Sequence, residues 1–182
     1  SLYEALTALA EAMNQREQLA APVAVLDRFP GAVQHLQQGG LIVVQGQRVS
    51  LMHETLFDYL HARAFVSDGK GLQQFLLSSE QTLFRRTQVR QILAMERDLD
   101  RKTYLADLAF ILDDKRVRSH VRDLVLRWLS TLPDPSAEEW RLVEASGRGD
   151  SNLPRHVSRV IYGGPSWVRL LAQLGILDAW FA

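Results

Sequence analysis

The chain has 182 residues, of which 47% are hydrophobic and 23% are charged, a balance that is typical of a globular protein. Its formal net charge is zero, so bulk charge gives no reason to expect binding to nucleic acid or to a membrane surface. The absence of cysteine excludes disulfides, thiolate metal sites and cysteine nucleophiles. No apolar run approaches the roughly 20 residues that a membrane-spanning helix needs. The sequence starts inside an amphipathic pattern and without a methionine, so we expect a fragment of a longer protein.

The first part of the chain predicts three short helices. Apolar residues recur at helical spacing across residues 2–14, and Pro22 is suited to the first turn of a second helix that ends at Leu26. A third helix, Ala32–Gln38, is followed by a pair of glycines of the kind that ends helices.

A β-hairpin is predicted directly after these helices. Two β-rich runs, 41–44 and 48–52, flank a turn that contains Gly46. Three short helices followed by a hairpin are typical of the winged-helix fold, so we expect a winged-helix domain with one small hairpin.

The stretch Leu51–Phe65 predicts an amphipathic helix that begins directly after the hairpin. Its apolar residues recur at helical spacing, and they are Leu56, Phe57, Leu60 and Ala64. His53 stands at the start of this helix, where free backbone N–H groups and partial positive charge attract anions. His53 is therefore the leading candidate for contact with an anionic ligand.

The turn cluster Ser67–Gly71 marks the predicted boundary between two domains, which we place at residues 1–66 and 67–182. Helix-length segments follow it at 72–78, 82–97, 100–112, 114–131, 136–146, 153–162 and 167–181. The second domain is therefore expected to consist of paired helices that stack and bury one another's faces.

One of these segments, Asp114–Leu126, resembles the second helix of a HEAT-type repeat. In that family an Asp begins the helix, a Val-Arg pair follows it, and apolar residues recur behind the pair. Asp114 takes the first position here. The resemblance implies a mainly α protein in which a HEAT-like or armadillo-like solenoid follows the winged-helix domain.

The segment around His53 carries a second resemblance. Hydrophobic, histidine, hydroxyl, acidic and aromatic positions follow one another at Leu51, His53, Thr55, Leu56, Asp58, Tyr59, Leu60 and Ala62. With the Gly39–Ile42 segment and the hairpin before it, this order resembles the winged-helix domain of the STAND-class NTPases. These are the signal-transducing ATPases that include the NACHT and NB-ARC proteins. The resemblance covers roughly residues 1–66.

This resemblance implies a regulatory role rather than catalysis. In many members of the group the corresponding histidine touches the phosphates of bound ADP and locks the inactive state, and we expect His53 to do the same. A nucleotide-binding domain of the same chain would precede Ser1 and hold the ATP or ADP, and a protein partner would bind the helical repeats. The intact protein would act in bacterial signalling or defence in the cytoplasm, without a membrane partner.

No catalytic site is predicted in the chain itself. It contains no G-x-x-x-x-G-K-(S/T) phosphate-binding loop and no H-E-x-x-H zinc motif. Its serines lack the G-x-S-x-G context of an activated nucleophile. We therefore expect no metal or cofactor in this fragment and no hydrolysis of ATP by it.

Two other functions are compatible with the same pattern. A winged helix can bind DNA, and the third predicted helix offers side chains that can contact base edges, namely Gln34, His35, Gln37 and Gln38. That helix has no Lys or Arg, however, and the hairpin supplies only Arg48 for phosphate contacts, so nucleic-acid binding is disfavoured. The chain could also be a plain helical-repeat scaffold for protein–protein interaction.

The second domain contains a set of arginines that could bind a partner, since helical solenoids bind through side chains along their inner groove. These residues are Arg85, Arg86, Arg90, Arg118 and Arg122. The simpler interpretation is a solvated charged surface, because acids occur close by in the sequence, at Glu96, Asp107, Asp113 and Asp123.

Overall fold

A computed structural model describes residues 1–78, 80, 81, 83–146, 158, 160 and 163–181 of the chain. The fold is mainly helical with one small three-stranded antiparallel sheet, which confirms the predicted fold class at this level. The chain divides into two compact units, Ser1–Lys70 and Gly71–Ala182. The division falls inside the Ser67–Gly71 turn cluster, because the helix before it continues to Ser67. None of the helices in the described part of the chain combines the length and apolar character that a membrane span needs.

The first unit contains helices on both sides of its hairpin. Its elements in chain order are α1 (Leu2–Gln15), β1 (Ala21–Pro22), a 3₁₀ helix (Val23–Leu26), α2 (Ala32–Gln38), β2 (Ile42–Gln45), β3 (Arg48–Leu51) and α3 (Glu54–Ser67).

Packing between α1 and α3 forms the centre of the first unit. Ser1 and Glu4 form a capping box at the start of α1, in which each side chain satisfies a backbone N–H of the other residue. The buried face of α1 includes Leu9 and Met13, and α3 contributes Phe57, which is 2% exposed. The burial of these side chains supplies the hydrophobic free energy that holds the two helices together.

The sheet has the strand order β1-β3-β2, and both pairings are antiparallel. The predicted hairpin is present, with Val44 opposite Val49, and Gly46 supplies the positive φ of its turn (60°). Pro22 was predicted to lie in the first turn of a helix, and this was wrong. This residue ends strand β1 and precedes the 3₁₀ helix, because Val23 N–H donates to the carbonyl of Gln47 on the hairpin.

The described elements of the second unit are all helices. Its helices are α4 (Leu72–Leu77), α5 (Leu83–Leu99), α6 (Arg101–Asp113), α7 (Ser119–Ser130), α8 (Ala137–Ser146), α9 (Pro165–Gln173) and α10 (Ile176–Phe181). Helix α5 packs against α6 and α7, and α6 packs against α8. Helices α5 and α6 thus each contact the helix two places further along as well as the next helix. The predicted helix at 153–162 lies outside the described residues, apart from Ser158 and Val160.

The expectation that Asp114 begins a helix was wrong. Asp114 caps the end of α6, and α7 begins only at Ser119. The Asp114 carboxylate accepts the backbone N–H of Arg116 at 2.8 Å, which closes a tight turn. Arg122 then donates to the carbonyls of Ile111 and Asp114, so the residues between the two helices are held in a loop.

The predicted helix at 167–181 is two helices. Gly175 has a φ of 69°, a conformation that a helix does not tolerate and that glycine adopts without strain. Helix α9 also begins earlier than predicted, with Pro165 in its first turn. The indole Nε1 of Trp167 donates to the carbonyl of Leu129 at 2.7 Å and joins α9 to the end of α7.

Candidate functional site

His53 lies at the start of α3, directly after β3. It is the N-cap residue of the helix and has an extended backbone, with φ −129° and ψ 132°. Its side chain is exposed and makes no capping hydrogen bond to the helix. The imidazole is therefore at the surface of the first unit, at the end of α3 where an anion is favoured.

The first turn of α3 gives this position its electrostatic character. The first N–H groups of an α-helix have no partner within the helix, and no side chain caps them here. The exposed carboxylate of Glu54 lies in the same turn and partly offsets the positive helix terminus. A bound anion would therefore need the imidazole of His53 as well as the backbone amides.

Exposed apolar side chains stand immediately before His53. Met52 N–H donates to the carbonyl of Leu41 at 2.9 Å, which extends the hairpin pairing to the residue next to His53. Both side chains are partly exposed, at 46% for Met52 and 37% for Leu41. His53 therefore has exposed apolar residues on one side and the exposed carboxylate of Glu54 on the other.

Three apolar positions of the motif around His53 serve the core of the first unit. Its apolar positions at Leu51, Leu60 and Ala62 are all buried. Their presence is explained by packing alone, because a helix that covers a core needs apolar residues at this spacing. His53, Thr55 and Tyr59 are exposed, so packing in the core does not explain these positions.

The arginines proposed as partner contacts are in different environments. The guanidinium of Arg85 stacks over the ring of Phe75, 4.7 Å from its centroid. Arg86 and Arg90 are half-buried on the same helix. Arg118 is 57% exposed and lies 3.7 Å from the carboxylate of Glu80. A partner surface made of these side chains stays a prediction.

Arg122 has a structural environment that the sequence did not indicate. Its guanidinium donates to the backbone carbonyls of Ile111 (3.2 Å), Asp114 (2.9 Å) and Val117 (3.4 Å). The carbonyl of Ile111 belongs to the last turn of α6, which the helix itself leaves without donors. The other two carbonyls belong to the residues between α6 and α7, so Arg122 holds this loop against the end of α6.

Of the residues considered for DNA contact, those on α2 are exposed, whereas the arginine of the hairpin makes hydrogen bonds within the first unit. The polar side chains of α2 are exposed, and they are Gln34, His35, Gln37 and Gln38. Arg48, the one arginine of the hairpin, donates to the side-chain oxygen of Gln18 and to the carbonyl of Ala20, both at 2.8 Å. Its guanidinium therefore joins β3 to the segment before β1, and a phosphate would compete with those bonds.

A buried ionic network in the second unit was not predicted. The carboxylate of Glu139 is fully buried and accepts hydrogen bonds from Arg97 (2.7 Å), Tyr104 (2.8 Å) and the backbone N–H of Ser136 (2.7 Å). Arg101 lies 3.3 Å from the same carboxylate. Burial raises the pKa of Glu139, but these donors outweigh burial and hold the pKa below its ordinary value. The network fixes α8 against α5 and α6.

Two further carboxyl groups expected on a solvated surface are buried. Glu96 is 2% exposed and Asp107 is 5% exposed. Gln73 donates to Asp107 at 3.1 Å, whereas Oε2 of Glu96 has no hydrogen-bond partner among the described residues. Burial, with the nearby charges of Asp107 and Asp100, raises the pKa of Glu96 to about 8. Glu96 is therefore mainly protonated at neutral pH.

The described residues contain no group of three or more His, Asp or Glu side chains arranged to hold a metal ion. No protein-family model matches the chain, and no curated protein and no solved structure matches it.

Proposed function

We propose that this chain is a non-catalytic regulatory region of a STAND-type NTPase. In this proposal the first unit is a winged-helix domain that senses a nucleotide held by a preceding domain of the same protein. The second unit is a HEAT-like helical repeat that binds a protein partner in the cytoplasm. The ATP or ADP belongs to the intact protein and not to this fragment.

The arrangement of the first unit supports the winged-helix part of the proposal. A helix, a short strand, two short helices and a hairpin follow one another, and the last strand lies between the other two in the sheet. The placement of a helix directly after the hairpin is also consistent with the resemblance to the STAND group.

The packing of the second unit supports the helical-repeat part. Contacts between α5 and α7, and between α6 and α8, are those of helical pairs stacked side by side. A stack of this kind buries one face of each helix and leaves an extended surface for a partner.

The exposure of His53 is the observation that carries the proposal. The residue stands at the N-cap of α3 but does not cap it, so its imidazole is accessible to a ligand. One charge-assisted hydrogen bond to a phosphate contributes about 1.5–3 kcal/mol. This is enough to change the affinity of a bound ADP about 10-fold to 150-fold, and too little to bind a nucleotide by itself.

The test uses the full-length gene product that contains this chain. We expect the purified protein to retain ADP, and His53→Ala to increase the dissociation rate of ADP by about tenfold or more. His35→Ala is the matched control, because His35 is an exposed histidine of the same unit and should leave the rate unchanged. A full-length protein without a phosphate-binding loop, or equal rates for wild type and His53→Ala, would contradict the proposal.

A further inference from the structure

A cluster of exposed side chains joins α1 to α3 in the first unit. We call it the Tyr3–Arg63–Tyr59 cluster, after its three members. The guanidinium of Arg63 lies over the ring of Tyr3, 5.1 Å from its centroid, and Nη1 of Arg63 donates to the hydroxyl of Tyr59 at 3.0 Å. Tyr3 is 43% exposed, Tyr59 is 38% exposed, and Arg63 is exposed as well. Burial in the core therefore does not account for these residues, and the nucleotide-sensing role does not use them.

The two contacts orient the guanidinium but leave most of its donors free. An arginine has five N–H donors, and Arg63 makes one hydrogen bond, to Tyr59, among the residues that the structure describes. The edge formed by Nε–H and Nη2–H is therefore open, and such an edge matches the two oxygens of a carboxylate. Tyr59 accepts the bond from Arg63, so the proton of its own hydroxyl remains to be donated. The cluster thus presents several donors that an acceptor would satisfy.

The positive charge of Arg63 has no counter-ion among the described residues. The contacts of its guanidinium are with two tyrosines, which are neutral at pH 7. Glu4, in the first turn of α1, is paired with the amino group of Ser1 at 2.8 Å. Asp68, which follows α3, is paired with Lys70 at 2.8 Å. The acids next to the two ends of the cluster therefore have cations of their own.

The remaining acids of the two helices lie on another side or at a distance. Asp58 is five residues before Arg63, which places it about 140° around α3. Glu54 lies about 13 Å before Arg63 along the same helix, and Glu11 lies about 12 Å after Tyr3 along α1. Salt largely screens the attraction between exposed charges over such distances. Arg63 is therefore open to an anion from outside the unit.

A single unpaired cation selects a group with a single negative charge. Sites for phosphorylated segments usually combine several Arg side chains, because a phosphate carries nearly two charges. Binding to nucleic acid likewise needs a row of contacts to phosphates. Arg63 is the one cation of the cluster, and the nearby Lys70 is held by Asp68. A carboxylate, with one charge and two oxygens, is the anion that fits this arrangement.

The exposure of the cluster indicates a protein partner rather than a small molecule. Small-molecule sites are concave and enclose most of their ligand, whereas these side chains lie on the surface of two helices. Tyr and Arg are also the residues that often dominate the energy of protein interfaces. Leu2, the neighbour of Tyr3, is 46% exposed and extends the surface with an apolar group. A matching partner segment therefore has an acidic residue beside an apolar one.

We propose that the Tyr3–Arg63–Tyr59 cluster binds a protein partner through an Asp or Glu side chain that lies next to an apolar residue of that partner. The carboxylate would accept the Nε–H and Nη2–H of Arg63 and the O–H of Tyr59, and the apolar residue would cover the ring of Tyr3 and Leu2. The inference goes beyond the proposed function, because it involves neither ADP nor the helical unit.

The experiment selects ligands for the complete 182-residue chain from a library of random linear peptides displayed on phage. Peptides that bind the wild type and fail to bind Arg63→Glu are sequenced. We expect them to share an Asp or Glu beside an apolar residue. One such peptide is then labelled, and its affinity is measured by fluorescence anisotropy. Replacement of its acid by Asn or Gln, and Arg63→Glu in the chain, should each weaken binding by about tenfold or more.

Milder variants separate the geometry of the site from its charge. Tyr59→Phe removes one hydroxyl and should weaken binding about threefold to tenfold. Arg63→Lys keeps the charge but loses the planar edge, and should weaken binding by a similar factor. Arg28→Glu is the matched control for Arg63→Glu, since Arg28 is an exposed arginine of the same unit that lies 5.0 Å over the ring of Phe29. It should change the affinity by less than about twofold.

Four results would overturn the inference, provided that circular dichroism shows the variants to be folded. The selection could yield no peptide that distinguishes the wild type from Arg63→Glu, or only peptides without an acid. An equal loss of affinity in Arg28→Glu would show attraction by bulk charge. Binding that tightens more than about tenfold when phosphoserine replaces the acid would assign the cluster to a phosphate. None of these results involves ADP, so failure here would leave the role of His53 standing, and failure at His53 would leave the cluster standing.

Discussion

The hydroxyl of Tyr104 donates a 2.8 Å hydrogen bond to Oε1 of Glu139, and both side chains are fully buried. The same carboxylate accepts the Nε–H of Arg97 at 2.7 Å. Residues on α5, α6 and α8 therefore meet at one charged group from which water is excluded. The position of α8 therefore depends on this group.

We predict that Glu139→Gln lowers the free energy of unfolding of the chain by about 3 kcal/mol, because it leaves the largely buried guanidinium of Arg97 with only the exposed Asp134 as a counter-ion. Urea-induced unfolding followed by circular dichroism measures the change. Glu138→Gln is the control, since Glu138 is 55% exposed in its ion pair with Arg101 and should cost about 0–1 kcal/mol. Equal losses in the two variants would show that the buried network is not a stabilising feature.

The helices and the hairpin could be predicted because their signals are local. Apolar residues at helical spacing, the Gly46 turn and the glycines after α2 each act within a few positions of the chain. Strand β1 could not be predicted, since it consists of Ala21 and Pro22 and exists through pairing with Arg48 and Val49. Those partners are distant in sequence, and nothing near Ala21 indicates them.

The candidate sites also include some that local signals predict and some that depend on residues distant in sequence. The position of His53 at the start of a helix follows from the hairpin and the apolar pattern after it, and the structure has it there. The roles of Glu139 and Glu96 could not be predicted, because the local sequence of a charged helix does not show which of its Glu residues are buried. The Arg97–Glu139 bond joins residues 42 positions apart. Its partner could be identified only once the helices were packed.

We predict that Gly163→Ala destabilises the second unit by about 1–3 kcal/mol through overpacking. A Cβ on Gly163 would lie 2.1 Å from the Cβ of Ser130, so the junction between α9 and the end of α7 would have to open. Gly71→Ala is the matched control. Gly71 has a φ of −82° and nothing within 4 Å of the added carbon. The loss of a favourable N-cap residue and the lower entropy of the unfolded chain oppose each other, so the substitution should change stability by less than about 1 kcal/mol.

The contact itself is tested by a double-mutant cycle. Ser130→Gly removes the Cβ and hydroxyl that oppose Gly163, although it costs about 1 kcal/mol of helix propensity. If the two residues collide as the distance requires, Ser130→Gly should recover part of the loss caused by Gly163→Ala. Strict additivity of the two thermal-unfolding effects would exclude the collision.

Glu96 gives the second unit a predicted dependence of stability on pH. Its pKa of about 8 in the folded chain lies above the ordinary value of 4.5, so the folded state binds the proton more tightly than the unfolded state does. The resulting stabilisation is complete below pH 4.5 and is lost as the pH rises through about 8. Between these values the free energy of unfolding should fall by at most about 1.4 kcal/mol per pH unit from this group.

Glu96→Gln tests this dependence, because the amide imitates the protonated carboxyl and cannot ionise. Glu139, Asp100 and Asp114 have lowered pKa values, so their contributions change only in acid, well below the range of about pH 6–8 in which Glu96 titrates. Over that range the decline in stability seen in the wild type should therefore be smaller in Glu96→Gln. Asp98→Asn, an exposed substitution on the same helix, should keep the decline. An undiminished decline in Glu96→Gln would show that Glu96 does not cause it, and Asp107, whose pKa burial also raises, would then be the group to test.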